Sequence, residues 1–127
     1  MKRNYSQAHF PPAPLCQVRF GTPEEMRFTQ LVEGMVDTGA DMTIAPIELM
    51  RNIGATIGGL QSIRSQWGEA RSVRMYIVDV EVEGVNFPGI WVVGDERGQD
   101  VVLGRNLLNR MKILLDGPAE EIEIVSY

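Results

Sequence analysis

The clearest periodicity in the chain lies at residues 78–83, where Val78, Val80 and Val82 alternate with Asp79, Glu81 and Glu83. A period of two puts the valines on one face and the acids on the other, which predicts a strand with a dry side and a wet side. Extended patterns also fill residues 15–20 and 27–36, separated by the turn-forming Gly21-Thr22-Pro23-Glu24. A short strand is expected over 42–45, and Pro46 then opens a helical stretch over 47–53 that stops at Gly54. Residues 60–65 and 70–83 read as the arms of a long hairpin around Gln66-Trp67-Gly68-Glu69. Gly84-Val85-Asn86 turns the chain into a strand over 87–93, and Pro88 places an edge or a bulge near its start.

Further along, 95–99 is a polar loop and 100–103 a short buried strand. Gly104 breaks into a helix over 105–111, with Leu107, Leu108 and Met111 on one face. The tail predicts a second hairpin, 112–115 and 121–125, flanking Asp116-Gly117-Pro118. Residues 1–14 end in Phe10-Pro11-Pro12-Ala13-Pro14, which favours an extended arm without ladder hydrogen bonds. The first half is not repeated in the second. The class is mostly β with one or two short helices, an arm over 1–14 and one domain over 15–127.

Composition narrows what such a domain does. A chain of 127 residues supports one modest core, and a net charge of -5 argues against non-specific nucleic-acid binding. Arg64, Arg71 and Arg74 gather locally, and this cluster reads as a solvated strand face. Cys16 is the sole cysteine, so no intrachain disulfide or thiolate metal cluster forms, and it reads as a small buried apolar residue. His9 is the sole histidine and lies in the proline-rich arm, which removes a Ser-His-Asp site and a multi-histidine metal site. The charged N-terminus is followed by no apolar signal core, and no run approaches the roughly 20 apolar residues of a membrane span. The expectation is a soluble, cytoplasmic protein with no membrane partner.

Asp37-Thr38-Gly39 ends the run Leu31-Val32-Glu33-Gly34-Met35-Val36 and occurs once. A carboxylate at a strand tip, followed by a hydroxyl and a glycine, suits an aspartic protease loop, although the triplet alone also makes good turns. That chemistry needs two carboxylates facing one water. One copy supplies one, and two identical chains are the direct solution. A second apolar run, Val101-Val102-Leu103, leads into Gly104-Arg105-Asn106-Leu107-Leu108, with the long hairpin between the two motifs. In this order, from about Leu15 to the C-terminus, the chain resembles the retropepsin-like aspartic proteases, the single-lobed relatives of the pepsin fold.

The resemblance implies a closed single-lobe β-barrel with a flap hairpin, working as a homodimer on a peptide or protein substrate without metal or organic cofactor. Asp37 matches the catalytic carboxylate, and Thr38 the residue that holds the dimer beneath the two aspartates. Gly39 lets the loop pass close to substrate. Ala40 and Asp41 match positions that meet the substrate backbone, and Arg105 matches the arginine that pairs with Asp41. Gly104, Asn106, Leu107 and Leu108 complete the segment behind the loop, with Asn106 read as a structural helix-start residue. Gln66, Trp67 and Gly68 fall near the flap tip. Ile44, Ile63 and Val102 are expected to make apolar specificity pockets. The chain departs from the family pattern at its bulky, charged flap tip, at Glu33-Gly34, which suggests a bulge, and in a longer C-terminal strand that could enlarge a dimer interface. Two alternatives stay open: a catalytically silent dimeric peptide-binding module on the same fold, and a monomer whose Asp37 loop serves unrelated carboxylate chemistry.

Overall fold

Val78, Val80 and Val82 turn inward as their alternation requires, and join Val18 and Phe20 in the main core. They belong to a computed structural model that describes residues 1–64 and 68–126. Its strands are β1 (Lys2–Asn4), β2 (Leu15–Thr22), β3 (Arg27–Phe28), β4 (Val32–Val36), β5 (Thr43–Pro46) and β6 (Thr56–Arg64). They continue with β7 (Ala70–Val82), β8 (Val85–Asp95), β9 (Val101–Leu103), β10 (Lys112–Asp116) and β11 (Glu121–Ser126). Two short α-helices, α1 (Ile47–Asn52) and α2 (Arg105–Leu108), and a 3-10 turn at Pro23–Glu25 complete the set among the described residues.

The large sheet runs β3-β2-β4-β9-β5-β8-β7-β6, and β2 also pairs with β7. That extra pairing, Val18 opposite Val82 through Gly21 opposite Asp79, closes a six-stranded barrel. The mostly β class and the closed barrel expected above are both present. Closure gives the six barrel strands a sealed interior, while β3 and β6 lie outside the ring as edge strands. Phe20, Met50, Leu103, Leu107 and Ile122 are among its fully buried side chains.

Pro88 sits at a bulge, as expected. Val78 pairs with Ile90 and Val80 with Phe87, so Pro88 and Gly89 together oppose Asp79. Gly89 takes φ +66°, and its N–H donates to Asp79 Oδ1 at 3.2 Å. The turn before it is tighter than the sequence suggested. Glu83 and Gly84 both have positive φ and form a two-residue hairpin, so Val85 already pairs with Val82.

Three other expectations are corrected. The strand read over 27–36 is interrupted between β3 and β4, where the Thr29 hydroxyl accepts the Phe20 N–H in place of a ladder bond. Glu33-Gly34 makes no bulge, because β4 pairs with β2 in unbroken register, Leu15 opposite Met35 through Val18 opposite Val32. Gly34 instead packs closely, since a Cβ there would stand 3.0 Å from the buried Leu103 side chain. The arm also carries ladder bonds: β1 pairs antiparallel with β11 in a three-stranded sheet, β1-β11-β10. Arg3 fastens it by a two-pronged contact to Glu83, Nε at 3.2 Å and Nη2 at 2.8 Å. Glu83, whose side chain is 8% exposed, also accepts the Gln17 N–H. Among the described residues, no helix is long and apolar enough to cross a membrane.

Candidate active site

The position of Asp37 follows from a parallel pairing. β4 and β9 run side by side with Val36 opposite Leu103, so the loops that leave them emerge at the same end of the barrel. The Asp37 N–H donates to the Leu103 carbonyl at 3.1 Å, tying the two exits together. Beyond it the chain turns tightly. Asp37 Oδ1 accepts the Gly39 N–H at 2.9 Å, and the Asp37 carbonyl accepts the Ala40 N–H at 3.2 Å. A Cβ on Gly39 would lie 3.2 Å from Asp37 Oδ1, tight enough to disturb this turn. Asp37, Thr38 and Gly39 are all exposed, so the carboxylate is oriented yet open to solvent.

The start of α2 clamps this loop from behind. Arg105 donates through Nη1 to the Thr38 carbonyl at 2.8 Å, pairs through Nη2 with Asp41, and donates its backbone N–H to Ala40 at 2.8 Å. The Asn106 N–H adds a bond to the Asp41 carbonyl at 3.2 Å. The Arg105 and Asp41 side chains are both well exposed, so their ion pair contributes at most about 1 kcal/mol. Its main effect is to fix the loop's geometry. Gly104 is buried, and a Cβ there would come within 2.4 Å of the Met42 carbonyl carbon and oxygen. Only glycine allows this approach.

Sequence reasoning missed Thr43. It is fully buried, and its hydroxyl accepts the Gly104 N–H at 3.2 Å while donating to Asn106 Oδ1 at 2.9 Å. Asn106 Oδ1 also accepts the Thr43 N–H at 2.9 Å, and its Nδ2 donates to the Trp91 carbonyl at 2.8 Å. Asn106 thus ties β5, β8 and α2 into one network behind the exposed carboxylate. The signal in the sequence was a single hydroxyl inside the run Met42-Thr43-Ile44, which is informative only once its burial is known.

An open cleft of about 620 Å³ lies between the Gly39–Met42 segment and β6. Ala40 and Asp41 line it, as do Ile44 and Ile63, while Val102 is a half-buried neighbour of Ile44 outside the lining. Met42, Ile44 and Ile63 pack on a small apolar cluster of Val73, Met75 and Val93. Gly68 is exposed at the far end of the hairpin with φ +83°. Gln66 and Trp67 lie outside the described residues. Cys16 faces the core far from this chemistry in role: burial pushes its thiol up to about 11, which leaves it an inert apolar side chain. Among the described residues, no group of three or more potential ligands could hold a metal ion.

Solved structures share this architecture. A crystal structure of a retropepsin-like aspartic protease from Rickettsia conorii aligns over 98% of this chain and 88% of its own, with TM-score 0.68 and 18% identity. The retroviral protease-like domain of Ddi1 from Leishmania major aligns over 91% and 90%, with TM-score 0.57 and 16% identity. The solution structure of simian foamy virus (mac) protease aligns over 75% and 91%, with TM-score 0.55 and 13% identity. At these identities the likeness is one of fold: the barrel is the single lobe of the retropepsin-like aspartic proteases. Comparison with curated proteins found no significant match. Residues 29–110, which hold both the Asp37 loop and α2, match the family described as gag-polyprotein putative aspartyl protease, and the chain belongs to that family.

Proposed function

We propose that this protein is an aspartic endopeptidase that works as a homodimer, with one Asp37 from each protomer completing the site. One observation carries the reading. Asp37 is held by its own turn and braced by α2, yet it stands exposed with the neighbouring Asp41 committed to Arg105. A single oriented carboxylate at the protein surface is half of a dyad, and the one Asp-Thr-Gly in the chain leaves a second copy to supply the rest. Thr38 is exposed beside it, where its hydroxyl can serve the contact between protomers.

Two carboxyl groups brought together in a cleft share one proton, because double ionisation sets like charges side by side. The ionised member takes a proton from water as the water oxygen bonds to the scissile carbonyl carbon. The protonated member hydrogen-bonds the developing oxyanion. The C–N bond then breaks as a proton passes to the leaving amine, and both carboxyl groups return to their starting state. No metal or organic cofactor takes part. The substrate is an extended peptide in the cleft. β6 is the terminal strand of its sheet, so its free edge suits strand-like pairing with the peptide backbone. The β6–β7 hairpin is the flap that closes over it, with Gly68 near its tip.

Unfolded casein and a peptide library, incubated at pH values of about 4–7 with and without pepstatin, test this directly. The wild type is expected to cleave, pepstatin to inhibit it, and Asp37→Asn to abolish cleavage while leaving thermal stability unchanged. Peptide binding by a well-folded wild-type dimer without any cleavage would instead establish the silent binding module.

A further inference from the structure

Among the described residues the cleft carries two charged side chains in its lining, Asp41 and Arg64. They are not equivalent. Asp41 is neutralised by Arg105. Arg64 belongs to none of the ion pairs among the described residues, which join Arg3 to Glu83, Arg19 to Glu81, Arg51 to Glu48, Arg71 to Asp95 and Arg105 to Asp41. Of the two charges in the lining, Arg64 is therefore the one left without an ion pair among the described residues, in a chain whose net charge is -5.

Its placement gives that charge a purpose. Arg64 ends β6, opposite Ala70, and the residue before it, Ile63, packs toward the apolar cluster of Val73, Met75 and Val93. Both line the same cleft, and among the described residues β6 is the edge strand of its sheet. A peptide extended along that edge meets an apolar wall and then a guanidinium. The other basic residues of the hairpin are placed differently. Arg71 lies 3.9 Å from Asp95, and Arg71 and Arg74 open on a separate hollow with Glu96 and Arg97. All three arginines are exposed, as the solvated-face reading expects, and of the three Arg64 alone lines the cleft.

We propose that Arg64 is a specificity-determining residue that selects an acidic side chain in the peptide, adjoining the position whose apolar side chain packs on Met42, Ile44 and Ile63. This rests on the reading that the cleft holds a peptide substrate. Arg64 is exposed, so a single new ion pair is worth at most about fivefold in binding or rate, and salt weakens it.

The test uses peptides that carry Glu, Gln or Lys at each position around the scissile bond, with wild type, Arg64→Gln and Arg64→Glu. At low salt, wild type is expected to prefer Glu over Lys by about fivefold in kcat/KM at one position. Arg64→Gln loses that preference and Arg64→Glu reverses it, with the other positions unaffected. In parallel, fluorescence anisotropy measures binding of the same labelled peptides to Asp37→Asn and to Asp37→Asn combined with Arg64→Glu. Charge-selective binding that reverses with Arg64→Glu, in a protein whose wild type cleaves nothing, keeps the role of Arg64 and ends the protease reading. Cleavage with the same charge preference in all three proteins, or with none, overturns the role of Arg64 alone. Neither binding nor cleavage of any peptide overturns both.

Discussion

A methyl group on Gly104 would come within 2.4 Å of the Met42 carbonyl, and backbone atoms cannot yield as a side-chain tip can. Gly104→Ala must push α2 away from the Asp37 loop, at a cost of about 2–4 kcal/mol. Urea unfolding is expected to show that loss. Peptide cleavage should fall at least tenfold even where the variant is fully folded, because the clamp on residues 38–41 is displaced. Cys16 supplies a different residue-scale prediction. Its thiol is raised from 9.0 to about 11, first by burial and then by the nearby Glu83 carboxylate, with Arg3 opposing. Above pH 9.0 the unfolded chain loses this proton while the native state keeps it, so stability present below pH 9.0 is lost as pH rises toward about 11. Urea midpoints should decline across that window, and Cys16→Ala should flatten the decline. At this scale the sequence exposed Asp37, Gly104 and Arg105, because each stands in a recognisable local string. Thr43 was hidden, since its hydroxyl is explained only when Gly104 and Asn106, distant in sequence, arrive beside it.

Among the elements, the decisive arrangement is β9 lying parallel to β4. Both strands were readable as apolar runs that end in a turn signal. Their adjacency was not, because nothing in either run encodes its neighbour. The Val78–Val82 alternation announced its strand for the opposite reason: one face is buried in the barrel and the other is wet. β1 went unread because Lys2-Arg3-Asn4 has no apolar period. What holds it is pairing with β11 and the long-range contact from Arg3 to Glu83. Arg3→Ala strands a carboxylate that is 8% exposed. Full burial of such a pair would make the loss several kcal/mol, but Arg3 itself is 39% exposed, and screening brings it to about 1–2 kcal/mol. Chemical denaturation should show that decrease, with earlier hydrogen exchange in β1 and β11 than in β7. Exchange rates identical to wild type in the terminal sheet would contradict the docking role assigned to Arg3.

For the whole molecule, the barrel and the family of the chain were legible because two motifs occur in order with a long hairpin between them. The proposed assembly rests on the single Asp-Thr-Gly of the chain. The most direct measurement mixes wild type with inactive Asp37→Asn, co-refolds them at constant total concentration, and follows peptide cleavage against the fraction of wild type. If each site takes one Asp37 from each protomer, mixed dimers are inactive and activity falls as the square of that fraction. Activity that falls in simple proportion to it would mean that each chain carries a complete site, and would contradict the shared dyad.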